Sequence, residues 1–78
     1  MSTPRLSIVV PTLNEGATIG ATLAALQPLR GRGCEVIVVD GGSADATVAL
    51  ARPLADAVVA SRPGRARQQN AGAAAASG

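Results

Sequence analysis

Asp40 stands where the β-branched run Val36, Ile37, Val38, Val39 gives way to Gly41, Gly42 and Ser43, so its carboxylate projects from the carboxyl end of a buried strand. Asn14 and Glu15 hold the matching place beyond the run from Leu6 to Val10, after Pro11, Thr12 and Leu13. A carboxylate acceptor, an amide that both donates and accepts, and a second carboxylate suit the edge of a base and the hydroxyls of a ribose. Hydrogen bonds to charged groups of this kind contribute about 1.5 to 3 kcal/mol each. Arg62, Arg65 and Arg67 surround Gly64 beyond a weaker run, Ala57 to Ala60, and a guanidinium there can reach a phosphate or a sugar.

Singly, each of these residues has a plainer reading. Asp40 can equally cap the turn at Gly41 and Gly42 or the helix that follows. An arginine is more often part of a solvated patch, and the amides of Gln68, Gln69 and Asn70 read as helix surface. Gly41, Gly42 and Ser43 lead into a helix start, whose free N–H groups can hold an anion. No G-x-G-x-x-G follows the first run and the chain has no lysine, which removes the dinucleotide fingerprint and the P-loop. Convergence of the three polar turns on one place is what favours a ligand site.

The elements that must bring them together follow a βαβαβα rhythm, the order of an α/β, three-layer open parallel sheet in which ligands bind beyond the carboxyl ends of the strands. Ile8 to Val10 and Val36 to Val39 are continuous apolar runs, as strands covered on both faces require. The first helix is expected from Ala17 or Thr18, with Ile19, Leu23 and Leu26 as its apolar stripe and Pro28 as its end. Ser43 is the expected N-cap of a second helix, Asp45 lies in its first turn, and Pro53 stops it after Arg52. A third helix is expected after Pro63 and Gly64, from Arg65 to about Ser77, with Gly78 as its cap. Its alanines let it lie close on a sheet.

Seventy-eight residues is short for such a sheet, which usually needs about 100 or more. Phe, Tyr and Trp are all absent, so the core is built from Val, Ile, Leu and Ala, and marginal stability is expected of the chain alone. Seven arginines against five acids give a net charge of +2, but they are scattered and no aromatic is available to stack on a base, so no nucleic-acid partner is expected. Cys34 is the one cysteine and histidine is absent, which excludes an internal disulfide and leaves zinc without a ligand set. A reducing, cytoplasmic setting is the default. The apolar stretch broken by Pro11 is too short for a signal peptide or a membrane span.

The stretches SIVVPTLNEGATI, EVIVVDGGSADAT and GRARQQNAGAAAASG resemble three successive motifs of the family 2 glycosyltransferases, in the same order and at suitable spacing. They are most similar to the bacterial subgroup with Val-Asp-Gly-Gly-Ser in the second motif and G-R-A-x-Q-x-N-x-G in the third. The resemblance implies a GT-A, Rossmann-like fold, a nucleotide-diphosphate sugar donor, a divalent metal (Mg or Mn) and inversion at the anomeric carbon. It implies that Pro11, Thr12, Leu13, Asn14 and Glu15 line the base and ribose pocket, that Asp40, followed by Gly41, is the nucleotide-binding aspartate, and that Arg65, Arg67 and Asn70 flank the donor. Leu13 stands where many relatives have an aromatic, and Gly41 where the commoner Asp-Asp-Gly-Ser form has a second carboxylate.

The Asp-x-Asp that holds the family's metal, and its catalytic base, fall beyond these motifs. Residues 1–78 therefore read as the amino-terminal, nucleotide-binding part of one domain, with no catalytic residue and no metal ligand of their own. The complete enzyme is expected in the cytoplasm or on the cytoplasmic face of a membrane, with a lipid or cell-envelope acceptor among the possibilities. Two rival readings are a non-catalytic nucleotide-binding module that works with a partner chain, and a receiver-like domain with Asp40 as phosphoacceptor. The second lacks the acidic pair expected after the first strand and any lysine.

Overall fold

The computed structural model describes residues 6–62 and 64–76, except for the side chain of Arg65. Strands β1 (Leu6–Thr12), β2 (Cys34–Asp40) and β3 (Ala57–Ala60) form one parallel sheet in the order β1-β2-β3. Helix α1 (Ile19–Arg30) joins the first two, α2 (Thr47–Ala51) and a 3-10 turn (Arg52–Leu54) join the next two, and α3 (Arg65–Ala75) follows β3. The register pairs Ile8 with Val36, Val10 with Val38 and Thr12 with Asp40, and then Val38 with Val58 and Asp40 with Ala60. Thr12, Asp40 and Ala60 thus end side by side, and the three turns leave from one edge as the motif order requires.

Side chains alternate across a strand, so β2 sends Val36 and Val38 to one face and Ile37 and Val39 to the other. Val36 and Val38 meet Ile19, Leu23 and Ala51 in a core that Ile8, Val10, Leu26, Leu54 and Val58 complete. All four residues from Val36 to Val39 have no exposed surface, each contributing about 1.5 to 3 kcal/mol by burial. This two-sided cover is why the run is continuous rather than alternating. On the second face α3 comes down through Gly72. A Cβ there would overlap Cγ1 of Val9 and stand 2.9 Å from its Cγ2 and 3.1 Å from Cγ2 of Val39.

Three element boundaries differ from expectation. Pro28 does not end α1, which runs on to Arg30. A proline loses one N–H and crowds the carbonyl four residues back, but only two helical residues remain. The Gly31 N–H closes that turn on the Gln27 carbonyl at 3.1 Å, and the Gln27 amide tethers it to the carbonyl of Leu54 at 2.9 Å. Arg30 then forks onto Asp56 through Nε at 3.2 Å and Nη2 at 3.1 Å. Ser43 is not the N-cap of α2, which starts four residues later; Asp45 Oδ1 takes the Thr47 N–H at 2.9 Å instead. Pro53 does follow the end of α2, which closes at Ala51 with Arg52 as its cap, and sits early in a 3-10 turn, where its missing N–H is not needed. Helix α3 ends at Ala75, and the expected cap at Gly78 lies outside the described residues. Among the described residues no helix is long and apolar enough to cross a membrane.

The seating of α3 is open to a direct test. Gly72→Ala should lower stability by about 1 to 3 kcal/mol, because the added methyl must displace Val9 or the helix. Gly20→Ala in α1, where a Cβ would meet nothing within 4 Å, should instead raise it by about 0.4 to 1 kcal/mol. Denaturant unfolding measures both. Equal stability of the two variants would show that α3 does not rest on Val9 and Val39.

Candidate functional site

Asp40 lies at the end of β2 with 6% of its surface exposed. Its Oδ2 accepts the N–H of Gly42 at 3.1 Å and of Ser43 at 2.8 Å, and its Oδ1 accepts the hydroxyl of Thr12 at 3.3 Å and that of Ser43. A carboxylate offers about four lone-pair directions, and here each has a protein donor. Burial works against the charge, but the hydroxyl and N–H of Ser43, the N–H of Gly42 and the Thr12 hydroxyl outweigh it and hold the carboxyl below its ordinary range. Asp40 is in the first place the clamp of its own turn.

That clamp extends to the neighbouring loop. Ser43 Oγ donates to Asp40 and accepts the Asn14 N–H at 2.8 Å, while Asn14 Oδ1 accepts the Ala44 N–H at 2.7 Å. The Glu15 N–H goes to Thr47 Oγ1 at 2.9 Å and the Gly16 N–H to Asp45 Oδ2 at 3.1 Å. Asn14 adopts φ 50°, a left-handed conformation that asparagine tolerates better than most residues. The Thr47 hydroxyl and N–H, with the Gly16 N–H, hold the Asp45 carboxyl low. Three consecutive N–H groups of the β1–α1 loop thus end on side chains of the β2–α2 loop and of the first residue of α2.

One expectation is corrected by this arrangement. The N–H groups of Gly41, Gly42 and Ser43 form no anion cradle, since Gly41 donates to the Thr12 carbonyl at 2.9 Å and the other two to Asp40. Helix α2 starts beyond them and has only five residues. Among the described residues, the groups left open at the rim are the Glu15 carboxylate, the Asn14 side-chain NH₂ and the side chain of Leu13, which is 42% exposed. Pro11 is half-buried behind them, and Thr12 and Gly41 are buried.

Arg67 is exposed in the first turn of α3, and the Arg65 side chain lies outside the described residues. Asn70 is also exposed, about 200° round the helix from the face that meets the sheet, so the fold does not bring it to the rim. Gln68, read from sequence as surface, is instead 6% exposed and donates from Nε2 to the carbonyls of Thr12 and Val39, both at 2.9 Å. Its place in G-R-A-x-Q-x-N-x-G, one helical turn before Gly72, was the signal for it.

The residues present do not fit a divalent cation. Among the described residues no three or more His, Cys, Asp or Glu side chains come together to hold one, Asp40 and Asp45 are engaged by protein donors, and Glu15 stands alone.

An open parallel sheet whose polar loops gather at the strands' carboxyl ends is the layout of a Rossmann-like α/β protein. Residues 7–78 match the model of glycosyl transferase family 2, and the chain belongs to that family. It is 39% identical over 51 residues to PGL/p-HBAD biosynthesis glycosyltransferases of Mycobacterium bovis and Mycobacterium tuberculosis, a match covering 65% of this chain and 20% of theirs. Among solved structures it resembles glucosyl-3-phosphoglycerate synthase from Mycobacterium tuberculosis, in complex with Mn²⁺, uridine diphosphate and glucosyl-3-phosphoglycerate. The TM-score is 0.83 at 33% identity, over 99% of this chain and 31% of that one.

Replacing Asp40 by Asn removes the charge and turns one acceptor into a donor that faces N–H or hydroxyl groups. Asp40→Asn should cost about 1 to 3 kcal/mol of stability. Because the folded carboxyl titrates below its unfolded value, the charged clamp stabilises the protein above about pH 4, and this contribution is lost as pH falls through the folded value. Asp56 shares that sign, since the Val36 N–H and Arg30 outweigh its burial. Urea unfolding between pH 7 and 3 should therefore show a shallower loss for Asp40→Asn than for the parent. Parallel curves would mean that Asp40 is not clamped in its charged form.

Proposed function

We propose that residues 1–78 are the amino-terminal, nucleotide-binding part of one family 2 glycosyltransferase domain, whose whole transfers a sugar from a nucleotide-diphosphate sugar to an acceptor. The observation that carries this reading is the rim above the flush ends of β1 and β2. There, two loops are stapled together and leave the Glu15 carboxylate, the Asn14 NH₂ and the Leu13 side chain open. Uridine diphosphate and Mn²⁺ in the solved relative, at 33% identity, support the choice of nucleotide and of a divalent cation for the complete enzyme.

In this reading Leu13 offers the base an apolar face and Glu15 accepts from ribose hydroxyls. Pro11, Thr12 and Gly41 form the wall behind them. Asp40 keeps Ser43, and through it Asn14, in place; a base donor that reached Asp40 would have to replace one of its present partners. Arg65 and Arg67, at the start of α3, are assigned to the phosphates, whereas Asn70 faces away from the sheet and takes no part in the rim. Magnesium or manganese, if the donor carries it, is held by carboxylates elsewhere in the domain and would offset leaving-group charge there. The acceptor, soluble or on the cytoplasmic face of a membrane, is bound outside these residues. The burial and four internal hydrogen bonds of Asp40 disfavour a phosphoacceptor role, which needs an open carboxylate.

Calorimetric titration of residues 1–78 tests this reading. Uridine, uridine diphosphate and its sugar conjugate should bind within about tenfold of one another, a spread of ~1.4 kcal/mol, with or without Mn²⁺. Glu15→Gln should weaken all three by about tenfold and leave the melting temperature unchanged, because the Glu15 carboxylate has no protein partner among the described residues. Absence of binding by the parent, or an inert Glu15→Gln, would overturn the proposed rim. A large gain in diphosphate affinity on adding Mn²⁺ would reveal a cation site within these residues.

A further inference from the structure

Position 41 is glycine for a reason outside its own backbone. Among the described residues the left-handed glycines are Gly33, Gly42 and Gly64, so a side chain at 41 meets no backbone strain. What it meets is Gln68: a Cβ on Gly41 would stand 3.3 Å from Cδ, Nε2 and Oε1 of that amide. Gln68 has little freedom to move aside, because its Nε2 is bonded to the carbonyls of Thr12 and Val39, and the Thr12 carbonyl also takes the Gly41 N–H. One buried amide therefore joins the carboxyl ends of β1 and β2 to α3. Gly72, four residues on and on the same face, sets how near the helix lies.

We infer that Gly41 and Gln68 are a single positioning device for the nucleotide rim. Gln68 seats α3 on the ends of β1 and β2, which holds Arg67 in a fixed relation to the loop from Leu13 to Glu15, and it can do so only where position 41 carries no side chain. A second carboxylate at 41, as in the Asp-Asp-Gly-Ser form, and a seated glutamine at 68 exclude each other. The consequence for ligand binding rests on the nucleotide reading above; the seating itself does not.

The test is a double-mutant cycle of Gly41→Ala and Gln68→Ala in the full chain, with Gln68→Met in place of Gln68→Ala should the latter not fold. Two quantities are read: the affinity for uridine diphosphate and amide hydrogen exchange. Gly41→Ala should weaken binding at least fivefold in the parent and less than twofold once Gln68 is replaced. Gln68→Ala should speed exchange at Gly41, Asn14 and Glu15 at least tenfold while Val36 to Val38 stay protected. Equal effects of Gly41→Ala in both backgrounds, or a uniform rise in exchange that only tracks a lower melting temperature, would overturn the inference. A parent that binds no uridine diphosphate would defeat the nucleotide reading alone, and the exchange cycle would still decide the seating.

Discussion

The rim depends on one buried carboxylate. A charge taken from water into a protein destabilises it unless hydrogen bonds replace the lost hydration. Asp40 obtains four, from the two N–H groups and the hydroxyl that follow it in the chain and from Thr12 on the adjacent strand. The bonds define the path of the chain after β2, because Gly42 and Ser43 must fold back over the carboxylate to deliver their N–H groups. Gly42 does so at φ 104°, where a side chain would be strained. A residue whose place at a strand end aims it at a ligand is thereby also the reason the turn beneath it has a fixed shape.

From that turn the order passes outward. Ser43, held by Asp40, receives the N–H of Asn14, and Asn14 returns a bond from its own oxygen to Ala44. Thr47 and Asp45 do the same for Glu15 and Gly16. Two loops that would each sample many conformations become one body, and the ordering entropy is met at folding rather than at binding. The groups left exposed are the ones without internal work to do. Glu15 illustrates the division: its backbone belongs to the staple and its side chain to the solvent.

Local pattern made the strands and their order legible, since Val36 to Val39 can be read as a two-faced strand with no knowledge of its neighbours. Asp40 was legible as a residue of consequence, and capping of its own turn was one of its two readings; the bond from Thr12 on the adjacent strand was not legible. The rule that makes Ser43 a helix cap competes with a carboxylate three residues earlier, and the carboxylate wins because it is buried and charged. Pro28 misled because the bonds that carry α1 past it join Gln27 to Leu54 and Arg30 to Asp56, 27 and 26 residues away. Gln68 was the larger loss. Polar side chains on an alanine-rich helix read as surface, and the two carbonyls that bury this one lie 29 and 56 residues upstream.

The same glutamine answers a difficulty raised by the composition. A core without aromatic rings has little shape with which to specify how a helix should lie, and contacts of alanine on valine are nearly indifferent to small rotations and slides. Gly72 solves only half of this, for it allows α3 to come close but does not say at what angle. Its presence even weakens the helix by about 1 kcal/mol relative to alanine. Hydrogen bonds are directional, and two of 2.9 Å from one amide to carbonyls on adjacent strands leave α3 little choice of rotation or height. A buried amide is costly when unpaired, so any slide of the helix is opposed by the loss of both bonds together. Close packing by a glycine and orientation by a glutamine, one turn apart, thus do for this small-residue helix what interlocking large side chains do in fuller cores. Arg67 inherits its position from that pairing.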